Sequence, residues 1–149
     1  HTNDAPSTIT RLQNMGTPDY LISAACQLVL AQRLARRTCK DCRVPDDDVN
    51  PKVLQDLGFT AELASRVKAL KGKGCPKCKD TGYKGRQGLY EILVVSKPVK
   101  EAILRKATTP ELREIAVKEG FQTMQDMGRR LIANGELNFR EYERVLTTS

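Results

Sequence analysis

Nowhere does this 149-residue chain approach the ~18 consecutive apolar residues that a membrane-spanning helix needs. Its longest apolar patch, YLISAACQLVLA, is broken by Ser23 and Gln27, so no span is expected. There is no basic-then-apolar leader and no initiator Met. The chain therefore reads as non-exported and as a piece of something longer. Histidine is almost absent: His1 is the single one, which leaves no Ser-His-Asp or Cys-His catalytic group to assemble. Aromatic residues make up 5% of the chain, too few for a stacking platform along a nucleic-acid strand. Low-complexity tracts are missing, and the only repeated device is a pair of short cysteine motifs.

What is present fits a globular chain, with 40% hydrophobic and 29% charged residues. Five cysteines is an odd count, which speaks against a secreted disulfide framework. Four of them form two Cys-x-x-Cys pairs, CKDC (Cys39, Cys42) and CPKC (Cys75, Cys78). Two intervening residues let both sulfurs of a pair turn to one point, and two such pairs supply the tetrahedral thiolate set that zinc favours. A single pair would suit thioredoxin-like redox chemistry, and a zinc-knuckle chaperone module would carry four or more repeats; neither matches. With four thiolates no coordination position stays open, so one structural Zn²⁺ per chain is expected. Cys26, alone inside SAACQLVLA, reads as a small core residue.

The excess of positive charge gathers around these pairs. Residues 33–43 hold five basic side chains against Asp41, and 71–86 hold six against Asp80, while the whole chain is only +7. A tetrathiolate zinc centre carries net −2, so the lysines and arginines can serve as local charge balance. The rival use is phosphate or nucleic-acid binding by a zinc ribbon.

Periodicity predicts an α-rich α+β chain. APSTITRLQNM (5–15) places Ile9, Leu12 and Met15 at helical spacing before Gly16. A second helix opening at Thr17-Pro18-Asp19 buries Leu21, Ala25, Leu28 and Val29. QRLARRT either ends that helix or forms an exposed strand, with the strand favoured. Between the cysteine pairs, Val53, Leu54 and Leu57, then Leu63, Val67 and Leu70, repeat at helical spacing around Gly58. GRQGLYEILVV is the clearest strand. A helix from Ser96 or Lys97 to Ala107 follows, then one capped by Thr109 with Pro110 and Glu111. Asn138 with Glu141 three residues on reads as a capping-box variant.

Four stretches recur together in a known family. HTNDAPSTITRLQNMG, LAQRLARRTCKDC, GCPKCKDTGYKGRQGLYEIL and EGFQTMQDMGRRLIANGELNFREYERVL stand in this order. They resemble the C-terminal portion of the secretion-type P-loop ATPases that assemble type IV pili and drive type II secretion. The resemblance covers essentially the whole chain. It departs at Asn138-Phe139, where relatives often carry Thr-Ser, and at EGFQTM, where -GM-TL is commoner. The resemblance implies that residues 1–38 are the tail of a RecA-like core. It makes 39–80 a zinc-binding lobe and 81–149 a strand followed by a helical subdomain. It assigns His1 to a His box near the nucleotide γ-phosphate. It also implies a cytoplasmic homo-hexamer, peripheral to the inner membrane, that uses ATP and Mg²⁺ to move an inner-membrane platform protein during pilus assembly. GFTAEL looks closer to the pilus-extension branch than to the type II secretion alternative; nucleic acid is not the expected partner. The phosphate-cradling motif Gly-x4-Gly-Lys-Ser/Thr is nowhere in these 149 residues, and no carboxylate ends an apolar strand as a Mg²⁺ ligand would. By itself the chain is expected not to hydrolyse ATP.

Overall fold

The computed structural model describes residues 4–147. The chain folds into two compact units, residues up to 32 with 90–124, and residues 33–89 with 125 onward. These units cut across the three consecutive segments expected from the sequence. The elements are mixed helix and strand, and no helix among the described residues is long and apolar enough to cross a membrane.

In the first unit, α1 (Ala5–Asn14) starts where Asp4 accepts the Ser7 N–H at 2.7 Å, with proline in the first turn. It buries Ala5, Pro6 and Ile9, while Met15 stays exposed. The next helix, α2 (Asp19–Ala25), is shorter than its apolar pattern suggested. Cys26 adopts an extended ψ of 118°, and Leu28–Thr38 runs on as strand β1 with alternating burial. So the expected helical face splits. Ile22 and Ser23 are the buried residues of α2, Leu21 and Ala25 are exposed, and Leu28 and Val29 point to opposite faces of β1. Cys26 is half-buried at the helix end rather than in the core, its Sγ 3.8 Å from the Leu28 carbonyl. The QRLARRT strand is present as part of β1. The unit is completed by α5 (Lys97–Leu104), which packs on α2, and α6 (Thr109–Lys118), which packs on α5 and α1. The cap of α6 is Thr108, one residue earlier than expected, accepting the Glu111 N–H at 3.3 Å. Thr109 Oγ1 instead bonds Thr10 Oγ1 at 2.6 Å.

Strands β1 and β4 (Tyr83–Val94) form a two-stranded ribbon. It is antiparallel, because Val95 N–H reaches the Gln27 carbonyl at one end and Cys39 N–H the Gly82 carbonyl at the other. The second unit also holds β2 (Arg43–Pro45) and β3 (Leu70–Gly72), paired antiparallel with Arg43 opposite Gly72. Between them lie α3 (Pro51–Asp56) and α4 (Ala61–Arg66), capped by Asn50 and Thr60 and parted at Gly58 as expected. The second helix is shorter than its expected apolar set: Leu63 is exposed, Val67 ends the helix, Leu70 belongs to β3, and Ala64 is the buried residue. The three-residue strands were not foreseen, since they are too short to show a period of two. The chain continues through α7 (Met124–Ala133) to α8 (Phe139–Tyr142), which runs into a π-helical turn, Glu143–Thr147.

Asn138 does cap α8, accepting the Glu141 N–H at 2.8 Å. Glu141 does not return the bond as a capping box would. Its fully buried carboxylate takes the Arg36 backbone N–H (2.7 Å) and guanidinium (2.8 Å) and the Arg144 guanidinium (2.7 Å). Arg36 in turn lies 4.0 Å over the Tyr83 ring, and Asn138 Nδ2 donates to the Tyr83 hydroxyl at 2.9 Å. Burial pushes the Glu141 carboxyl up, but the bonds from Arg144 and Arg36 outweigh it and hold it at about 2. Because this value is depressed, the stabilisation is complete above about pH 4.5 and fades as pH falls toward 2. Both arginines are half-exposed and screened, so about 1–2 kcal/mol is the expected size of that fading part. Glu141→Ala is expected to lower stability by about 3 kcal/mol at pH 7. In urea unfolding followed from pH 7 to pH 2.5, the gap between wild type and variant narrows; a constant gap would mean that the carboxylate is not the stabilising group.

Candidate metal centre

Pairing of β2 with β3 brings two cysteine loops face to face. The first, Cys39–Cys42, joins β1 to β2; the second follows β3 as a 3-10 turn, Pro76–Cys78, with Cys75 at its N-cap. Pro76 presets the turn, and Lys79 and Asp80 take left-handed φ values of 54° and 61°. Backbone bonds lock the loops together, Lys73 N–H to the Cys42 carbonyl (3.1 Å) and Cys39 N–H to the Gly82 carbonyl (2.9 Å).

The four sulfurs of Cys39, Cys42, Cys75 and Cys78 all lie within 4.8 Å of one another, and this group can hold a metal ion. Sγ separations are 3.8 Å for Cys39–Cys75, 3.8 Å for Cys42–Cys78 and 3.7 Å for Cys75–Cys78. Tetrahedral thiolates at ~2.3 Å from a central ion would be about 3.8 Å apart, so the spacing matches a four-coordinate site. Cys39, Cys42 and Cys78 are buried together with Cys75 packed against them, a small cluster of sulfurs where a larger domain would have a hydrocarbon core. Cys26 is not part of it.

Backbone donors aim at the sulfurs. Cys78 Sγ accepts N–H groups from Cys75 and Gly82, each at 3.2 Å, and Cys42 Sγ accepts that of Gly74 at 3.4 Å. Such donors stabilise thiolate over thiol. Burial raises the Cys78 thiol, yet the N–H groups of Cys75 and Gly82 outweigh it and bring it to about 6. Cys42 moves oppositely, to about 12, chiefly through burial and against the Gly74 N–H. Neighbouring thiolates oppose one another's ionisation, and a cation among them removes that opposition.

Glycine at 72 and 82 is a steric requirement. A Cβ on Gly72 would sit 2.2 Å from the Gly82 carbonyl oxygen, and one on Gly82 would meet the Gly72 oxygen at 2.5 Å. Backbone cannot yield as a side-chain tip can. Gly72→Ala is therefore expected to spread the two loops, cost about 3 kcal/mol and speed metal loss to a chelator about tenfold or more. Retention at the wild-type rate would show that the close approach is dispensable. Around the site, Lys77 and Asp41 pair across the loops at 3.5 Å, both partly exposed. His1 lies outside the described residues. Sequence alone gave Glu141 no role beyond a helix cap and did not single out the inward-facing Glu91. For Glu91, a carboxylate at a core position of the alternating strand LYEILVV was the available signal.

Taken together, a four-cysteine cluster that lies between strands β1 and β4 in the chain, preceded by the HTNDA segment and followed by C-terminal helices, is matched by a family model. The chain belongs to the type II/IV secretion system protein family, whose model matches residues 1–144. Among curated relatives it is similar to the type IV pilus assembly ATPase PilB of Myxococcus xanthus, with 36% identity across 95% of this chain and 25% of that protein. It resembles the type IV pilus assembly ATPase PilB of Thermus thermophilus at 41% identity, covering 86% of this chain and 14% of the relative. The type II secretion system protein HxcR of Pseudomonas aeruginosa is 37% identical over 97% of this chain and 27% of its own length. The chain thus spans about a quarter or less of the relatives it matches.

Proposed function

We propose that this chain is the C-terminal module of a cytoplasmic, hexameric P-loop motor ATPase that powers type IV pilus assembly. In this reading residues 1–38 close a RecA-like domain, and 39–80 form a lobe built on one Zn²⁺ held by Cys39, Cys42, Cys75 and Cys78. The strand and helices of 81–149 transmit movement toward an inner-membrane platform protein. The zinc ion supplies cross-linking and no reaction chemistry, since four thiolates fill its coordination sphere. His1 would face the nucleotide γ-phosphate, and ATP with Mg²⁺ would be held by parts of the longer protein.

The observation that carries this reading is the family match over residues 1–144, with relatives named as pilus assembly ATPases at 36% and 41% identity. The ribbon adds support for a domain tail. Leu28, Leu30, Tyr90, Ile92 and Val94 leave an apolar face exposed, and an isolated two-stranded ribbon is marginal in water. Such a face suits strands that belong to a larger sheet. The match to HxcR favours type II secretion as the second reading.

Deletion of this segment from its gene in the host organism separates the two. Loss of surface pili with normal exoprotein release supports the pilus motor. Retained pili with blocked exoprotein release would replace it by the secretion motor. For the metal, analysis of protein purified without chelators should return one zinc per chain, unchanged in Cys26→Ser; a ratio well below one would overturn the zinc assignment.

A further inference from the structure

We propose that Glu91 is a positioning residue for the segment that carries His1; this rests on the reading that His1 acts at the nucleotide phosphate in the longer protein. Side chains alternate along β4, and the inward positions 89 and 93 are filled by fully buried leucines. Position 91 shares that inward side, is 4% exposed, and holds a carboxylate. Its two oxygens serve two helices. Oε2 accepts the Ala5 N–H and Oε1 the Met124 N–H, each at 3.0 Å. Ala5 and Met124 are the first residues of α1 and α7, where backbone N–H groups lack partners within the helix and the dipole favours negative charge.

Helix formation alone does not need this arrangement. α3, α4, α6 and α8 are each capped by a side chain next to their own first turn. α1 has such a cap too, in Asp4, which also receives Arg113 Nη2 at 2.7 Å. Glu91 adds a second constraint from 86 residues away, and what that fixes is the place of Ala5 against β4. Ala5 is four residues beyond His1, so the chain entering α1 from the His box is tied to the sheet at this point. A glutamine at 91 would turn an NH₂ group toward one of the two buried N–H donors and release one end of the bridge.

The test uses the longer ATPase that contains this chain, with its metal bound, and compares His1→Ala, Glu91→Gln and the double variant. Glu91→Gln is expected to lower kcat about tenfold or more, with KM for ATP within about twofold. The double variant should be no slower than His1→Ala alone, because Glu91 works through His1. Multiplying losses would reduce Glu91 to a structural role, and wild-type kcat in Glu91→Gln would remove its role altogether. If His1→Ala alone keeps wild-type kcat, the His-box reading fails and this proposal with it. Should Glu91→Gln not fold, Glu91→Asp replaces it: the shorter carboxylate cannot bridge both N–H groups, so the same non-additive loss in kcat is expected, and additive loss overturns the proposal.

Discussion

Cys75→Ser is expected to release the metal and melt the tetracysteine lobe while the helices of 97–118 and 125–147 persist. Cys75 is the least buried of the four clustered cysteines, so the serine itself adds little packing damage and the effect reports on the metal. Three sulfurs hold a borderline-soft ion far less tightly than four, and binding energy of about 10 kcal/mol or more is folding energy for a lobe of this kind. Apart from the cysteines, the loops have few buried side chains to fall back on. Hydrogen exchange should show protection lost through 39–45 and 70–82, by a factor of about 100 or more. Residues 97–118 should stay protected, and so should 125–147. These last helices are held to β1 by Glu141 on Arg36 and by Arg33 on the Val145 carbonyl, neither of which involves a sulfur. Loss spreading through 125–147 would mean that the lobe and the C-terminal helices unfold as one body, as their shared compact unit permits. The separate lobe at 39–80 would then have to be abandoned.

The four-cysteine cluster was legible because its signal is a spacing, and spacing survives without knowledge of the fold. A helix start was legible at Asn138, where the capping side chain sits beside the first turn; the caps at Asn50 and Thr60 went unread although they have the same form. At Thr108-Thr109 two equivalent caps stand side by side, and the choice fell to the one whose neighbour was already engaged by Thr10. The run from Tyr20 to Thr38 misled for another reason. Leu28 and Val29 continue the helical spacing of α2, and the strand is decided by pairing with residues more than 40 positions later. Glu91 and the Arg36 pair of Glu141 escaped notice because each depends on partners over 30 residues away, which no local pattern announces. The Gly72–Gly82 contact is of the same kind. Nothing local marks either glycine, and only the meeting of two loops makes them a steric requirement.

ATP turnover by the 149-residue chain is expected to be indistinguishable from a protein-free control. Nucleotide affinity in P-loop enzymes comes from backbone N–H groups and a lysine that cradle the phosphates, and from a carboxylate that holds Mg²⁺. Neither motif occurs in these residues. The basic stretch 71–86 still presents lysines to solvent, so weak attraction for ATP is expected at low ionic strength. Exposed charge pairs of this sort are screened over about 6 Å near 0.3 M salt, and binding should vanish there. When the chain is extended upstream to include a P-loop region, turnover should appear, and His1→Ala should lower it about tenfold or more, the scale set by loss of a positioned group at the phosphate. Steady, salt-resistant hydrolysis by the 149-residue chain would contradict the proposed role, because it would require a phosphate site made from these residues alone. Full turnover in the extended protein carrying His1→Ala would contradict only the assignment of His1, and would leave the four-cysteine cluster and its proposed place in a motor untouched.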